Sequence, residues 1–175
     1  MTEEQRQLCR DLIVHPPALR MRTISKEDFI SQLPSAVEHG KLALEWLDEA
    51  FRERSPEDLQ CVLIVGFAFG FVPEHKEILC RLIEADWHYS HEDIVVALET
   101  WSSPDTVNAL FCATQWIPKS LEYDDNRALA VKAIWALGRI PGTEAGAKLE
   151  RLARSDIAVI RKTAIDQLER RHKDA

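Results

Sequence analysis

The chain has 175 residues, of which 46% are hydrophobic and 29% charged, with a formal net charge of −7. That is the profile of an ordinary soluble globular protein, long enough for one domain with a substantial core. The charge is uneven: residues 1–125 carry 11 Lys and Arg against 23 Asp and Glu, a net of −12, whereas residues 126–175 carry 11 against 6, a net of +5. A chain that is acidic over most of its length repels phosphate backbones.

Helical spacing of apolar residues runs along nearly the whole chain, and no period-two alternation competes with it. The polar start, Met1 to Arg6, has no apolar run behind it, so no secretory leader is expected. Thr2 to Val14 reads as a first helix, with a Thr-x-x-Gln start resembling a capping box and a stop at His15-Pro16-Pro17. Ser25 is expected to cap a short helix from Lys26 to Leu33, broken at Pro34. Ala36 to Arg54 follows as an amphipathic helix. Ser55 then acts as an N-cap with Pro56 at the first helical position, opening a helix to about Gly70.

Pro73 opens the next helix, to Ala85, and Ser90 is expected to cap His91 to Trp101. Ser103-Pro104 repeats the cap-plus-proline device for a helix to Ile117. Asp124 or Asp125 is expected to cap a helix ending at Arg139. Thr143 caps one to Arg154, and Ser155-Asp156 leads the last, to about Arg171. The most apolar stretch, Val62 to Val72, has 11 residues, too few for a bilayer span of about 20.

The pattern repeats. Ser55-Pro56-Glu57-Asp58-Leu59 recurs 35 residues on as Ser90-His91-Glu92-Asp93-Ile94, and Leu44, Leu47 and Ala50 map onto Leu79, Leu82 and Ala85 at the same shift. A second register, of 31 residues, links Asp125, Leu129, Ala133, Ile134 and Leu137 to Asp156, Ile160, Ala164, Ile165 and Leu168. Self-similarity at this period implies stacked helix pairs.

The junction Ala136-Leu137-Gly138-Arg139-Ile140-Pro141-Gly142-Thr143-Glu144-Ala145 and the helix Ser155-Asp156-x-x-Val159-Ile160-Arg161-x-x-Ala164-Ile165-x-x-Leu168 resemble the HEAT-repeat family, in its short bacterial, lyase-type form. The resemblance implies an all-α, right-handed α-α superhelix of about four helix pairs, at 35–175, with an N-terminal helical cap at 1–34. It also implies that the second helix of each pair lines a concave, partner-facing side.

The expected work is non-enzymatic binding of another protein, as an adaptor or scaffold. Its most concrete version is an inhibitor or immunity-type protein neutralising a basic toxin. The alternatives are a helical-repeat DNA-binding or base-excision protein and a cofactor or chromophore chaperone. No catalytic, metal or cofactor residues are expected, since one His91-Glu92 pair cannot build a di-iron site and no Gly-rich phosphate loop or nucleophile elbow appears. Six residues are the candidate partner contacts: Glu92, Asp93, Trp101, Asp124, Asp125 and Trp135. Glu92, Asp93, Asp124 and Asp125, with Glu57 and Asp58, would form an acidic ridge along successive helix starts, and the same carboxylates complement helix dipoles. Trp101 and Trp135 lie between polar neighbours on second helices, whereas Trp46 and Trp116 read as core. Trp87-His88-Tyr89 reads as packing over a repeat end. Gly66 and Gly70 are expected to admit a neighbouring helix, with Phe67, Phe69 and Phe71 beside them. Cys9, Cys61, Cys80 and Cys112 form no Cys-x-x-Cys pair and are expected as buried reduced thiols, which points to the cytoplasm.

Overall fold

A computed structural model describes residues 1–12, 23–34, 41–125 and 127–173. The protein is all-helical among these residues. Ten α-helices follow one another: α1 (Glu3–Asp11), α2 (Lys26–Gln32), α3 (Lys41–Glu53), α4 (Pro56–Phe69), α5 (His75–Leu82), α6 (His91–Glu99), α7 (Val107–Ala113), α8 (Ala128–Arg139), α9 (Thr143–Leu152) and α10 (Ala158–Lys173). The expected stop at His15-Pro16-Pro17 and the expected helix start at Ser35 and Ala36 lie outside the described residues. No described helix is long and apolar enough to cross a membrane.

The chain divides into two compact units, residues 1–78 and 79–175, with the boundary inside α5. The boundary expected at residue 34 falls within the first unit.

In the first unit α4 packs against α1 and α3. Thr2 opens α1 with a reciprocal capping box: its side chain accepts from Gln5 N–H at 3.2 Å and its own N–H donates to Gln5 Oε1 at 2.8 Å. Ser55 caps α4 by accepting from Asp58 N–H at 3.3 Å, and Pro56 occupies the first helical position. Asp58 is itself buried. Its Oδ1 accepts from Arg6 Nε at 2.6 Å, and the Met1 ammonium lies 3.5 Å from Oδ2. Burial pushes this carboxyl up, but the Arg6 hydrogen bond and the ammonium override it and hold it below the usual carboxylate range. Cys9 and Cys61 are buried beside this pair. A hydrogen bond to Cys61, and then burial, raises the Cys9 thiol far above the ordinary range.

The apolar stretch from Val62 is mostly interior: Val62, Leu63, Val65 and Gly66 are buried, whereas Phe67 is 46% exposed. Gly66 does not admit a neighbouring helix. A Cβ there would lie 2.0 Å from the ring of Phe71, so the glycine makes room for that ring. Gly70 lies outside α4 as its C-cap, at φ 100°, a conformation that favours glycine. Phe69 stacks on Phe29 of α2 with centroids 5.4 Å apart.

In the second unit α8 packs against α6, α7, α9 and α10, and α9 also packs against α7 and α10. Ile94, Leu98, Leu110, Ile134, Leu137 and Ile140 are fully buried. Several helix starts differ from the sequence expectation. Ser90 makes no side-chain cap: its ψ is 23°, outside the extended region a capping serine uses, and its backbone N–H donates instead to His88 Nδ1 at 3.2 Å. Ser103-Pro104 opens a 3-10 turn over Pro104–Thr106, and α7 ends at Ala113 rather than Ile117. Gly142, at φ 97°, is the N-cap of α9, and Thr143 is its first helical residue. Asp124 does serve α8, accepting from Ala128 N–H at 2.5 Å. Of the cysteines, Cys9 and Cys61 are buried, whereas Cys80 and Cys112 are half-buried; none of the four forms a disulfide.

Candidate functional site

In the second unit a cleft of about 550 Å³ lies between α8 and α10. It is lined by Trp135, Gly138, Arg139, Pro141, Gln167, Arg170 and Arg171. Its geometry follows from two helix stripes. On α8, rich in Ala and Leu, the residues Leu129, Ala130, Ala133, Ile134, Ala136 and Leu137 are buried. The remaining face carries Lys132, Trp135 and Arg139 at intervals of three and four residues. On α10 the buried stripe is Ile160, Ala164 and Gln167.

Gln167 occupies a position where the apolar register calls for a hydrophobe. It is 4% exposed, and its Nε2 is buried with no hydrogen-bond partner. Gly138 makes this possible: a Cβ at 138 would sit 2.2 Å from Gln167 Oε1. The glycine of the Leu137-Gly138-Arg139 motif therefore has a packing reason.

The three arginines have different commitments. Arg171 donates from Nη1 to Gly138 O at 3.2 Å and to Ile140 O, and from Nη2 to Gly142 O at 2.8 Å, closing the carbonyl end of α8. Arg139 pairs with Glu99 of α6 at 2.7 Å. Arg170 lies over the Trp135 indole, 4.4 Å from its centroid, in a cation–π contact, and forms no ion pair with a described residue.

The sequence candidates separate around this cleft. Trp135, 39% exposed, lines it. Glu92 lies on α6 and pairs with Lys132 of α8 at 2.5 Å. The rungs Glu92–Lys132 and Glu99–Arg139 are seven residues apart on each helix, so part of the acidic start of α6 is answered within the chain. Asp93 is exposed at the start of α6; partial desolvation raises its carboxyl, with Lys132 opposing. Asp124 is half-buried at the start of α8, and Asp125 is exposed in the preceding turn. Trp101 is half-buried beyond the end of α6 and does not line the cleft. Trp46 belongs to the core, at 4% exposure, and Trp116 is half-buried.

The structure brings Gln167 and Arg170 to Trp135, and neither was among the sequence candidates. A polar residue on the Ile160–Ala164–Gln167 stripe is the signal that could have found the first.

Trp87, His88, His91 and Trp116 form an aromatic cluster, whereas Tyr89, expected to pack with Trp87 and His88, is 52% exposed. His88 Nε2 donates to Leu82 O at 2.9 Å, and its ring stacks on His91 with centroids 4.1 Å apart. His91 Nε2 donates to Ala85 O at 2.8 Å, and its ring meets Trp116 edge-on. Burial, with His91 adding to it, pushes His88 down to about 4 despite the Leu82 bond; burial also lowers His91. Both rings are neutral at physiological pH. Among the described residues no group of three His, Cys, Asp or Glu side chains is arranged to hold a metal ion.

Compared with family models, with curated proteins and with solved structures, the chain matches none.

Proposed function

We propose that the chain is a HEAT-like helical-repeat binding module whose work is non-enzymatic recognition of another protein. In this reading the repeats form a right-handed solenoid, and α6, α8 and α10, the second helices of their pairs, supply the recognition face. The observation that carries the reading is the cleft itself: an exposed indole, an arginine stacked on it and a buried orphan amide converge on one concavity between two of those helices. Adaptor or inhibitor roles both fit such a surface. A basic toxin, the partner suggested by net charge, would meet Asp93 and Asp125 rather than this cleft. A base-excision role would require Trp101, Trp135 and Asp125 to converge, whereas the cleft lining holds Trp135 alone of the three and no carboxylate.

The test is affinity capture from the host's own lysate, with the wild-type chain, Trp135→Ala and Tyr123→Ala as baits. Tyr123 is 95% exposed and does not line the cleft, so it serves as the control. The expected result is a stoichiometric protein held by wild type and Tyr123→Ala and lost from Trp135→Ala. A capture list unchanged by Trp135→Ala would count against the α8/α10 cleft as the recognition site.

A further inference from the structure

We infer that the α8/α10 cleft is a subsite for the carboxylate of an Asp or Glu side chain on a segment of the partner protein; this rests on the protein-binding reading above. Arg170 is the cleft arginine that forms no ion pair among the described residues, since Arg171 is spent on three backbone carbonyls and Arg139 is paired with Glu99. Stacking on Trp135 restrains the Arg170 guanidinium while leaving its N–H edge for in-plane, two-pronged hydrogen bonding to a carboxylate.

Gln167 supplies the second, independent observation. A buried amide N–H without a partner is costly, and an acceptor entering the cleft would relieve it. Its Nε2 is buried although Gln167 lines the cleft, so seating an oxygen on it requires the lining around the amide to open while Arg170 stays on Trp135. Arg170 and one neutral donor match a monoanion, whereas a phosphate dianion calls for a second cation. The donors are side chains on two helices rather than a run of backbone N–H groups, which suits an acidic side chain better than a chain terminus. The volume, about 550 Å³, holds that side chain with its flanking residues.

The test follows the Gln167 amide, the Trp135 indole and the Arg170 Nε–H by two-dimensional NMR of the full chain. The probes are heptapeptide pools with randomised flanks and both ends blocked, carrying Glu, Asp, Gln or phosphoserine at the centre, plus the Gln pool with a free carboxyl end. The expected result is saturable shifts at all three groups with the Glu and Asp pools, weakened about tenfold with the blocked Gln pool. Arg170→Ala should abolish the shifts of the remaining groups and Gln167→Met should weaken binding about fivefold, each with thermal unfolding recorded to show a folded chain. Tighter binding of phosphoserine, binding only of the free carboxyl end, or no saturable shift with any acidic pool would overturn the inference. If the acidic pools fail while a captured partner still depends on Trp135, the carboxylate assignment falls and the protein-binding reading stands. If the pools bind while no captured protein depends on Trp135, the subsite stands and the protein-binding reading falls.

Discussion

Two copies of one helix start, Ser55-Pro56-Glu57-Asp58 and Ser90-His91-Glu92-Asp93, have opposite fates. In the first, the serine caps the helix and the second carboxylate turns inward, onto Arg6 and the Met1 ammonium. In the second, the serine makes no side-chain cap, and it is the first carboxylate that is used, pairing outward with Lys132. The residue between serine and glutamate differs. Pro56 only begins α4, whereas His91 packs its ring between His88 and Trp116. The repeat thus marks where a helix begins, and the surroundings decide which of its polar groups carries weight.

The largest expected effect comes from attacking the inward carboxylate. Asp58→Asn removes the charge that answers Arg6 in a largely buried setting and should cost about 3 kcal/mol, read by urea unfolding of the first unit. A cost below about 1 kcal/mol would mean that Arg6 turns to solvent, and that the two copies differ less than their geometry suggests.

Acid should separate the copies by a comparable amount. Unfolded His88 takes up a proton near its ordinary 6.5, and folded His88 only near 4. Below pH 6.5 the unfolded chain therefore binds the proton first. Stability that is complete above pH 6.5 should fall as pH drops towards 4, by on the order of 3 kcal/mol. The Asp58 carboxyl, held below its usual range, keeps its contribution through that window and loses it only at lower pH. Amide protection factors in α6, taken after the intrinsic pH dependence of exchange is removed, should fall between pH 6.5 and 4 well before those in α4. An equal fall in both helices would show that His88 does not govern the second copy.

The smallest effect sharpens the capping contrast. Ser55→Ala should cost about 1 kcal/mol through loss of the bond from Asp58 N–H, whereas Ser90→Ala removes no such bond. Paired thermal melts of the two variants give the comparison directly.

Much of this architecture is legible along the chain. Prolines, capping residues and apolar spacing locate the helices, Thr2 and Ser25 cap where expected, and Trp46 is interior. What escapes a linear reading is set by partners distant in sequence or by local backbone angle. Ser90 has the same identity as Ser55, but a ψ of 23° against 105° removes its role. Gly66 and Gly70 lie four apart as if opening a helix face; in fact one accommodates the Phe71 ring and the other ends the helix. Of the cleft, only Trp135 is readable as a candidate from its polar neighbours. Arg170 and Arg171 look alike in sequence, and their different commitments depend on residues about 30 positions upstream.

Arg171 has one more consequence. The carbonyls of Gly138, Ile140 and Gly142 are claimed by a side chain synthesised some 30 residues after them. As the chain leaves the ribosome, the end of α8 and the turn into α9 stay unfinished until residue 171 emerges and α10 docks. The cleft is therefore complete only once α10 has docked, and a nascent chain halted before α10 would display Trp135 without Gln167, Arg170 and Arg171 beside it.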